Sequence, residues 1–255
     1  MSDVHPSFGL PPVFAPSNIT VAILAGGLGT RLRPAVSDRP KVMAEVAGRP
    51  FLVHWLDRLQ DLGFRRVVLC TGHQAEIVRS SLGAAHGSLD LTHSVEPLAM
   101  GTAGAIRHAL PHFPAGPVLV INGDSYCELD LITFTDWHIR RHHLASLALT
   151  QVTDTRRYGR VETRENGRVI HFAEKQETYG RGWINAGIYL FDRELIAEIP
   201  VGDSVSLERE MLPRWLEQGR LFGFRAISRF LDIGTPESYR QAESFFASLA
   251  AEVVA

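Results

Sequence analysis

Three short segments of this chain are apolar at consecutive rather than alternate positions: ITVAIL (19–24), RVVLCT (66–71) and PVLVI (117–121). A strand of that kind is covered on both faces, and such strands belong to parallel sheets joined by helical crossovers. The segments between them supply the helices. Residues 51–62 carry Leu52, Trp55, Leu56, Leu59 and Leu62 at helical spacing and stop at Gly63. Residues 75–82 and 103–110 predict two shorter helices, the second ended by Pro111, and 89–95 alternates as a further strand. The pattern predicts an α/β fold: a Rossmann-like, doubly wound, mostly parallel sheet.

The second half changes character. Residues 146–152, 183–191, 221–226 and 230–233 predict strands. The segments 159–163 and 168–173 flank Asn166-Gly167 as a hairpin. Helices are expected over 206–216 and over 236–249, the latter opened by Pro236. No linker composition separates this mixed subregion from the first half. A length of 255 residues with 45% hydrophobic content suits one domain over 19–250, with halves at about 19–125 and 145–235. Residues 1–18, with Pro6, Pro11, Pro12 and Pro16, read as an extended arm, either disordered or packed on a partner subunit, so a homo-oligomer stays open.

A net charge of −2 gives no nucleic-acid surface, so any cationic site must be local. Cys70 and Cys127 sit in or beside apolar strands without metal-ligand spacing and read as buried free thiols. No segment has the length of a membrane span, and the start lacks the basic and apolar stretches of a secretory signal. A cytoplasmic chain without membrane partners is expected.

The first strand runs into Gly26, Gly27 and Gly29, with Arg31, Arg33 and Lys41 following. Bare backbone at a strand end lets N–H groups close on phosphate oxygens. The P-loop is excluded, because no Gly-Lys precedes a Ser or Thr here. The dinucleotide fingerprint is excluded because Leu32 stands where the third small residue belongs. With it goes the reading as a nicotinamide oxidoreductase.

The strings LAGGLGTRLRP, RPKVMAEVAGRPFL, EPLAMGTAGAI, VINGDSY, YGRV, FAEKQ, WINAGIYLF and FLDIGTPESY follow one another from residue 19 to about 246. In that order they resemble the sugar-phosphate nucleotidyltransferase family. Within it, GWINAGIYLF on a compact catalytic domain is most similar to the D-glycero-D-manno-heptose 1-phosphate guanylyltransferases, with mannose-1-phosphate guanylyltransferases and uridylyltransferases beside them. The chain departs from the usual pattern at Val42 and Gln176, where proline is common, and in a loop two residues longer after Glu96. A hexapeptide-repeat acyltransferase tail is not expected.

The resemblance implies attack by a sugar 1-phosphate on the α-phosphorus of a nucleoside triphosphate, expelling pyrophosphate, with Mg²⁺ as cofactor. It implies a nucleotide site from Leu24, Ala25, Gly26, Gly27, Gly29, Thr30, Arg31, Glu96, Gly101, Thr102 and Asn122. Arg31 is placed on the β- and γ-phosphates, Lys41 at the α-phosphate, and Asp124 with Asp232 on the metal. Glu96 reads the base edge, and a carboxylate facing guanine's N1–H and N2–H₂ favours GTP. The mixed half becomes the sugar-binding subregion, through Gly159, Glu174, Lys175, Asn185, Ala186 and Gly187. A catalytically inactive nucleotide-sugar-binding subunit is the competing class; loss of Arg31, Lys41, Asp124 or Asp232 would mark it, and all four are present. His138 and His142, four apart on an expected helix, lack carboxylate company and are not assigned a metal.

Overall fold

The three doubly covered segments become neighbouring central strands. The structure is a computed structural model that describes residues 14–173, 180–202 and 204–254. Among the described residues eight strands share one sheet: β1 (Thr20–Leu24), β2 (Arg66–Thr71), β3 (Ala85–His86), β4 (Leu89–Val95), β5 (Pro117–Asn122), β6 (Ala145–Val152), β7 (Gly182–Asp192) and β8 (Leu221–Arg225). Their order is β8-β6-β7-β5-β1-β2-β4-β3. Strands β5, β1, β2 and β4 are mutually parallel. β7 runs antiparallel to both β5 and β6, and so joins the two halves of the chain.

Alternate residues of each central strand enter different cores. Val21, Ile23, Val67 and Leu69 face one layer with α1 (Phe51–Asp61), which buries Phe51, Leu52, Trp55, Leu56 and Leu59. Ala22, Val68, Val118 and Val120 face the other, with Ala103 and Ile106 of α3 (Gly101–His108); α2 (Ala75–Leu82) lies between these helices in sequence. Each fully buried side chain of this size contributes roughly 1.5–3 kcal/mol, which is why a strand apolar on both faces is stable only between two layers. Both thiols are buried and unbridged, and burial pushes Cys70 up to about 12 and Cys127 up to about 11.

Several elements differ from expectation for local reasons. α3 starts at Gly101, two residues early, because Gly101 takes a φ of +74° that forms the turn into the helix. The segment expected as one helix over 206–216 opens as a π-helical turn, Leu207–Met211, before an α-helical Leu212–Glu217. Pro213 has no N–H for the carbonyl four residues back, and the amides of Met211 and Leu212 reach five residues back instead. The terminal helix is two helices, Pro236–Arg240 and Ala242–Val254. α4 (Leu131–Arg140) ends before His142, whose φ is +52°. His138 is instead buried against Ser146, 2.8 Å from its hydroxyl, so the two histidines share no helix face. Of the arm, Phe14 packs on the core and Pro16–Asn18 forms a 3₁₀ turn; residues 1–13 lie outside the described residues.

Candidate active site

Parallel strands end together, and the loops leaving them meet. Leu24 and Asn122 are register partners at the ends of β1 and β5. The glycine loop and the Asn122-Gly123-Asp124 turn therefore depart side by side, and the Gly123 amide donates to Leu24 O at 2.9 Å. A cavity of about 270 Å³ opens there. Its wall combines the glycine loop, Lys41, Glu96, the first turn of α3, Asn122 and Asp124. Of the residues expected at the nucleotide, Leu24, Ala25, Gly26, Gly27, Gly29, Glu96, Gly101, Thr102 and Asn122 line this cavity. Thr30 does not.

Gly26 is where close approach decides the residue. A Cβ there would run into Glu96 Oε1 and lie 3.2 Å from the Gly72 amide nitrogen. Glu96 follows β4, and its Oε2 accepts from the Met100 amide at 2.8 Å, which closes the loop it opens. Burial raises its pKa, and the Met100 amide opposes that in part. The α3 amides of Ala103 and Gly104 are taken by Val205 O, at 3.0 and 3.2 Å. The helix start therefore shapes the wall rather than offering these two N–H groups to a phosphate.

A second cavity of about 230 Å³ shares Asn122 and Asp124 with the first. Arg31, expected at the triphosphate, lines this one. So do Asn185, Gly187 and Asp232. β7 supplies Asn185 and Gly187 at an irregularity: its register with β6 shifts between Asn185 and Tyr189, and Gly187 takes a φ of +73°. A Cβ on Gly187 would sit 2.8 Å from Ser125 Oγ and 2.9 Å from Asn122 Nδ2. Ala186 points into the core. Gly159, with φ +77°, follows Tyr158 without lining either cavity. Glu174 and Lys175 lie outside the described residues.

Asp124 and Asp232 meet through two short strands, Ser125–Cys127 and Phe230–Asp232, which pair antiparallel with Ser125 opposite Asp232. Lys41 forms an ion pair with Asp124. Asp232 Oδ1 accepts from the Gly234 amide at 2.6 Å, and Arg157 stands 3.7 Å from its other oxygen. Burial, then the charge of Asp124, raises the Asp232 pKa. Two carboxylates that disfavour each other in the second cavity, one of them shared with the first, fit a divalent cation that draws its other ligands from phosphate and water. Asn122 Oδ1, buried at the same junction, has no hydrogen-bond partner among the described residues. No cluster of three or more His, Cys, Asp or Glu side chains suited to a metal occurs among the described residues.

Arg157, Tyr158 and Glu208 also line the second cavity, and the sequence did not single them out. Tyr158 adjoins Gly159 in YGRV, a signal that was available. Glu208 stood in the first turn of an expected helix, where an acid reads as helix-start chemistry. That task belongs to Glu210, which accepts from the Ser206 amide at 2.8 Å.

Known proteins resemble this chain in sequence and in fold. The family model described as "Nucleotidyl transferase" matches residues 20–248. The mannose-1-phosphate guanylyltransferase of Mycobacterium tuberculosis is 36% identical over 228 residues, covering 88% of this chain and 64% of that protein. The D-glycero-alpha-D-manno-heptose 1-phosphate guanylyltransferase of Aneurinibacillus thermoaerophilus is 35% identical over 221 residues, 87% of this chain and 95% of that protein. Among solved structures, HddC from Yersinia pseudotuberculosis superposes with a TM-score of 0.80 at 34% identity, covering 89% of this chain and 99% of that one. A second structure of the Yersinia protein, in complex with GMP-PN, superposes equally well.

Proposed function

The chain belongs to the nucleotidyl transferase family, and from that premise we propose that it joins GTP to a sugar 1-phosphate of the manno-heptose type, releasing pyrophosphate. One observation carries the reading: two cavities meet at Asn122 and Asp124, so two phosphorylated substrates can face each other across one carboxylate. The near-full coverage of a heptose 1-phosphate guanylyltransferase supports the choice of sugar. The likeness to a mycobacterial mannose-1-phosphate enzyme, of which this chain spans 64%, supports the second reading, mannose 1-phosphate with the same nucleotide.

In this mechanism the nucleoside triphosphate occupies the first cavity and the sugar phosphate the second. A phosphate oxygen of the sugar phosphate attacks the α-phosphorus as the bond to the β-phosphate bridging oxygen breaks. That oxygen leaves with the pyrophosphate. The residues act mainly by position and charge. Gly26, Gly27 and Gly29 let backbone approach the phosphates, and Lys41, already beside Asp124, neutralises charge at the reacting phosphate. Arg31, on the acceptor side of the junction, draws the two anions together across it. Asp124 and Asp232 would hold Mg²⁺, which supplies charge neutralisation at the α-phosphate when bound. Glu96 reads the guanine edge. Lys175 and Glu174 orient the acceptor from the segment between Ala173 and Gly180. Two buried, unbridged thiols suit the reducing interior of a cell, and we place the reaction in the cytoplasm. No helix among the described residues is long and apolar enough to cross a membrane.

The test is a matrix of GTP, ATP and UTP against heptose, mannose and glucose 1-phosphates, read by released pyrophosphate. GTP with a manno-configured sugar is expected to lead. A lead by UTP or by glucose 1-phosphate would overturn the assignment. Nucleotide-sugar binding without turnover in any pair would establish the inactive-subunit class instead.

A further inference from the structure

The geometry points to Glu208 as a positioning residue that sets the acceptor-binding amide of Asn185 and ties it to the wall of the nucleotide cavity. The inference rests on the two-substrate reading above. Glu208 sits on the π-helical turn Leu207–Met211 and lines the acceptor cavity. π-Turns inside helices occur often at functional sites, where they re-aim a side chain. Glu208 Oε2 accepts from Thr102 Oγ1 at 2.8 Å, and Thr102 lines the nucleotide cavity. Glu208 Oε1 accepts from the Tyr189 hydroxyl at 3.1 Å. Tyr189 is fully buried in β7, and its hydroxyl accepts from Asn185 Nδ2 at 2.8 Å. Asn185 Oδ1 then accepts from the Gly187 amide at 3.0 Å.

Each bond in this chain fixes the direction of the next. An ionised carboxylate only accepts, so Tyr189 must donate to it and thereby keep a lone pair for Asn185. Asn185 must turn its NH₂ toward Tyr189 and its carbonyl toward Gly187. The amide has one N–H left over, and Asn185 lines the acceptor cavity. Burial and the Glu208 charge hold the Tyr189 proton in place, raising its pKa well above the ordinary range. Without the carboxylate the hydroxyl is free to reverse, and the amide loses its reason to hold one face toward the acceptor. Thr102 extends the restraint to α3, because its Oγ1 also accepts from the Leu207 amide at 2.7 Å.

Tyr189→Phe, Glu208→Ala, Glu208→Gln and the double variant Tyr189→Phe/Glu208→Ala separate this role from simple support. Kinetics are measured with GTP and the sugar 1-phosphate that the wild type uses best. Tyr189→Phe and Glu208→Ala are each expected to raise KM for the sugar phosphate roughly ten-fold, the scale of one lost orienting hydrogen bond, with KM for GTP and kcat within about three-fold. Glu208→Gln, which keeps an acceptor for Tyr189, should fall between wild type and Glu208→Ala. The double variant should be no worse than either single one, because all act through one chain of bonds. Tyr189→Phe removes only a hydroxyl, so it decides the matter even where Glu208→Ala folds poorly. An unshifted KM for the sugar phosphate, equal losses on both substrates, or fully additive effects would overturn the inference while wild-type turnover upholds the functional reading. A wild type without turnover would overturn that reading and this inference with it.

Discussion

Glu96 does two jobs at the scale of single residues. It closes its own loop through the Met100 amide and presents its other oxygen against Gly26 at the wall of the first cavity, where the nucleotide is proposed to sit. If that oxygen reads guanine, GTP should exceed ATP and UTP in kcat/KM by roughly ten- to a hundred-fold, about 1–3 kcal/mol of paired readout, and Glu96→Gln should erode the lead. Gly26→Ala should do the same, since its methyl group displaces the carboxylate. A lead that ignores both changes would remove Glu96 from base recognition. The burial that raises the Glu96 pKa gives a further handle. As pH falls through that raised value the carboxylate is lost, so the wild-type preference for GTP should fade at a higher pH than an ordinary glutamate would dictate. In Glu96→Gln the same profile should be flat. For the aspartates, Asp124→Asn and Asp232→Asn should each cost at least ~100-fold in kcat, the loss typical of a major electrostatic stabiliser. A readout independent of turnover is available. Mg²⁺ with nucleotide should raise the Tm of the wild type by mass action and fail to raise that of Asp232→Asn. Equal stabilisation of both proteins would take Asp232 out of the cation site.

Secondary-structure elements explain what was legible beforehand. The strands at 19–24, 66–71 and 117–121 announced themselves because both faces are buried, and part of the first cavity's wall, from Leu24 to Gly29 with Asn122 and Asp124, lies at the ends of two of them. The acceptor wall was harder to read. Arg157 and Tyr158 share one turn and Glu208 comes from another far along the chain, and the register shift in β7 brings Asn185 and Gly187 to the same cavity. No local period encodes a meeting of that kind. α4 stops at Arg140, so the spacing of His138 and His142, to which no metal was assigned, carries no common face. Its real consequence is acid sensitivity. Burial lowers the His138 pKa below 6.5 against the opposing pull of Asp192, 3.8 Å away. His138 is therefore neutral in the fold and gains a proton on unfolding, so its contribution is complete above about pH 6.5 and is lost as pH falls below that. His54, also lowered by burial, acts with the same sign. Unfolding free energy should drop between pH 7 and pH 5, and His138→Gln should reduce that slope. An unchanged slope would assign the acid sensitivity elsewhere.

At the scale of the molecule, β7 makes the two halves one structure. It is bonded on one side to β5 of the nucleotide half and on the other to β6, and both cores draw side chains from both halves. Unfolding should then be a single transition. Far-UV circular dichroism should coincide with the fluorescence of Trp55 and Trp137 in one core and Trp215 in the other. Two separated transitions would show that the halves are independent units. The short pairing of Ser125–Cys127 with Phe230–Asp232 has a consequence of another kind. A ribosome emits Asp124 roughly a hundred residues, or about 5–20 s, before Asp232. Throughout that interval Asp232, the carboxylate proposed to share a cation with Asp124, does not yet exist. Because β7 and Val205 also arrive late, and they hold β5 and the start of α3, the wall of the first cavity and the pair of carboxylates are completed together near the end of synthesis. On the proposed function the order of synthesis acts as a timer, and a chain stopped short of the strand that pairs beside Ser125 should show no turnover.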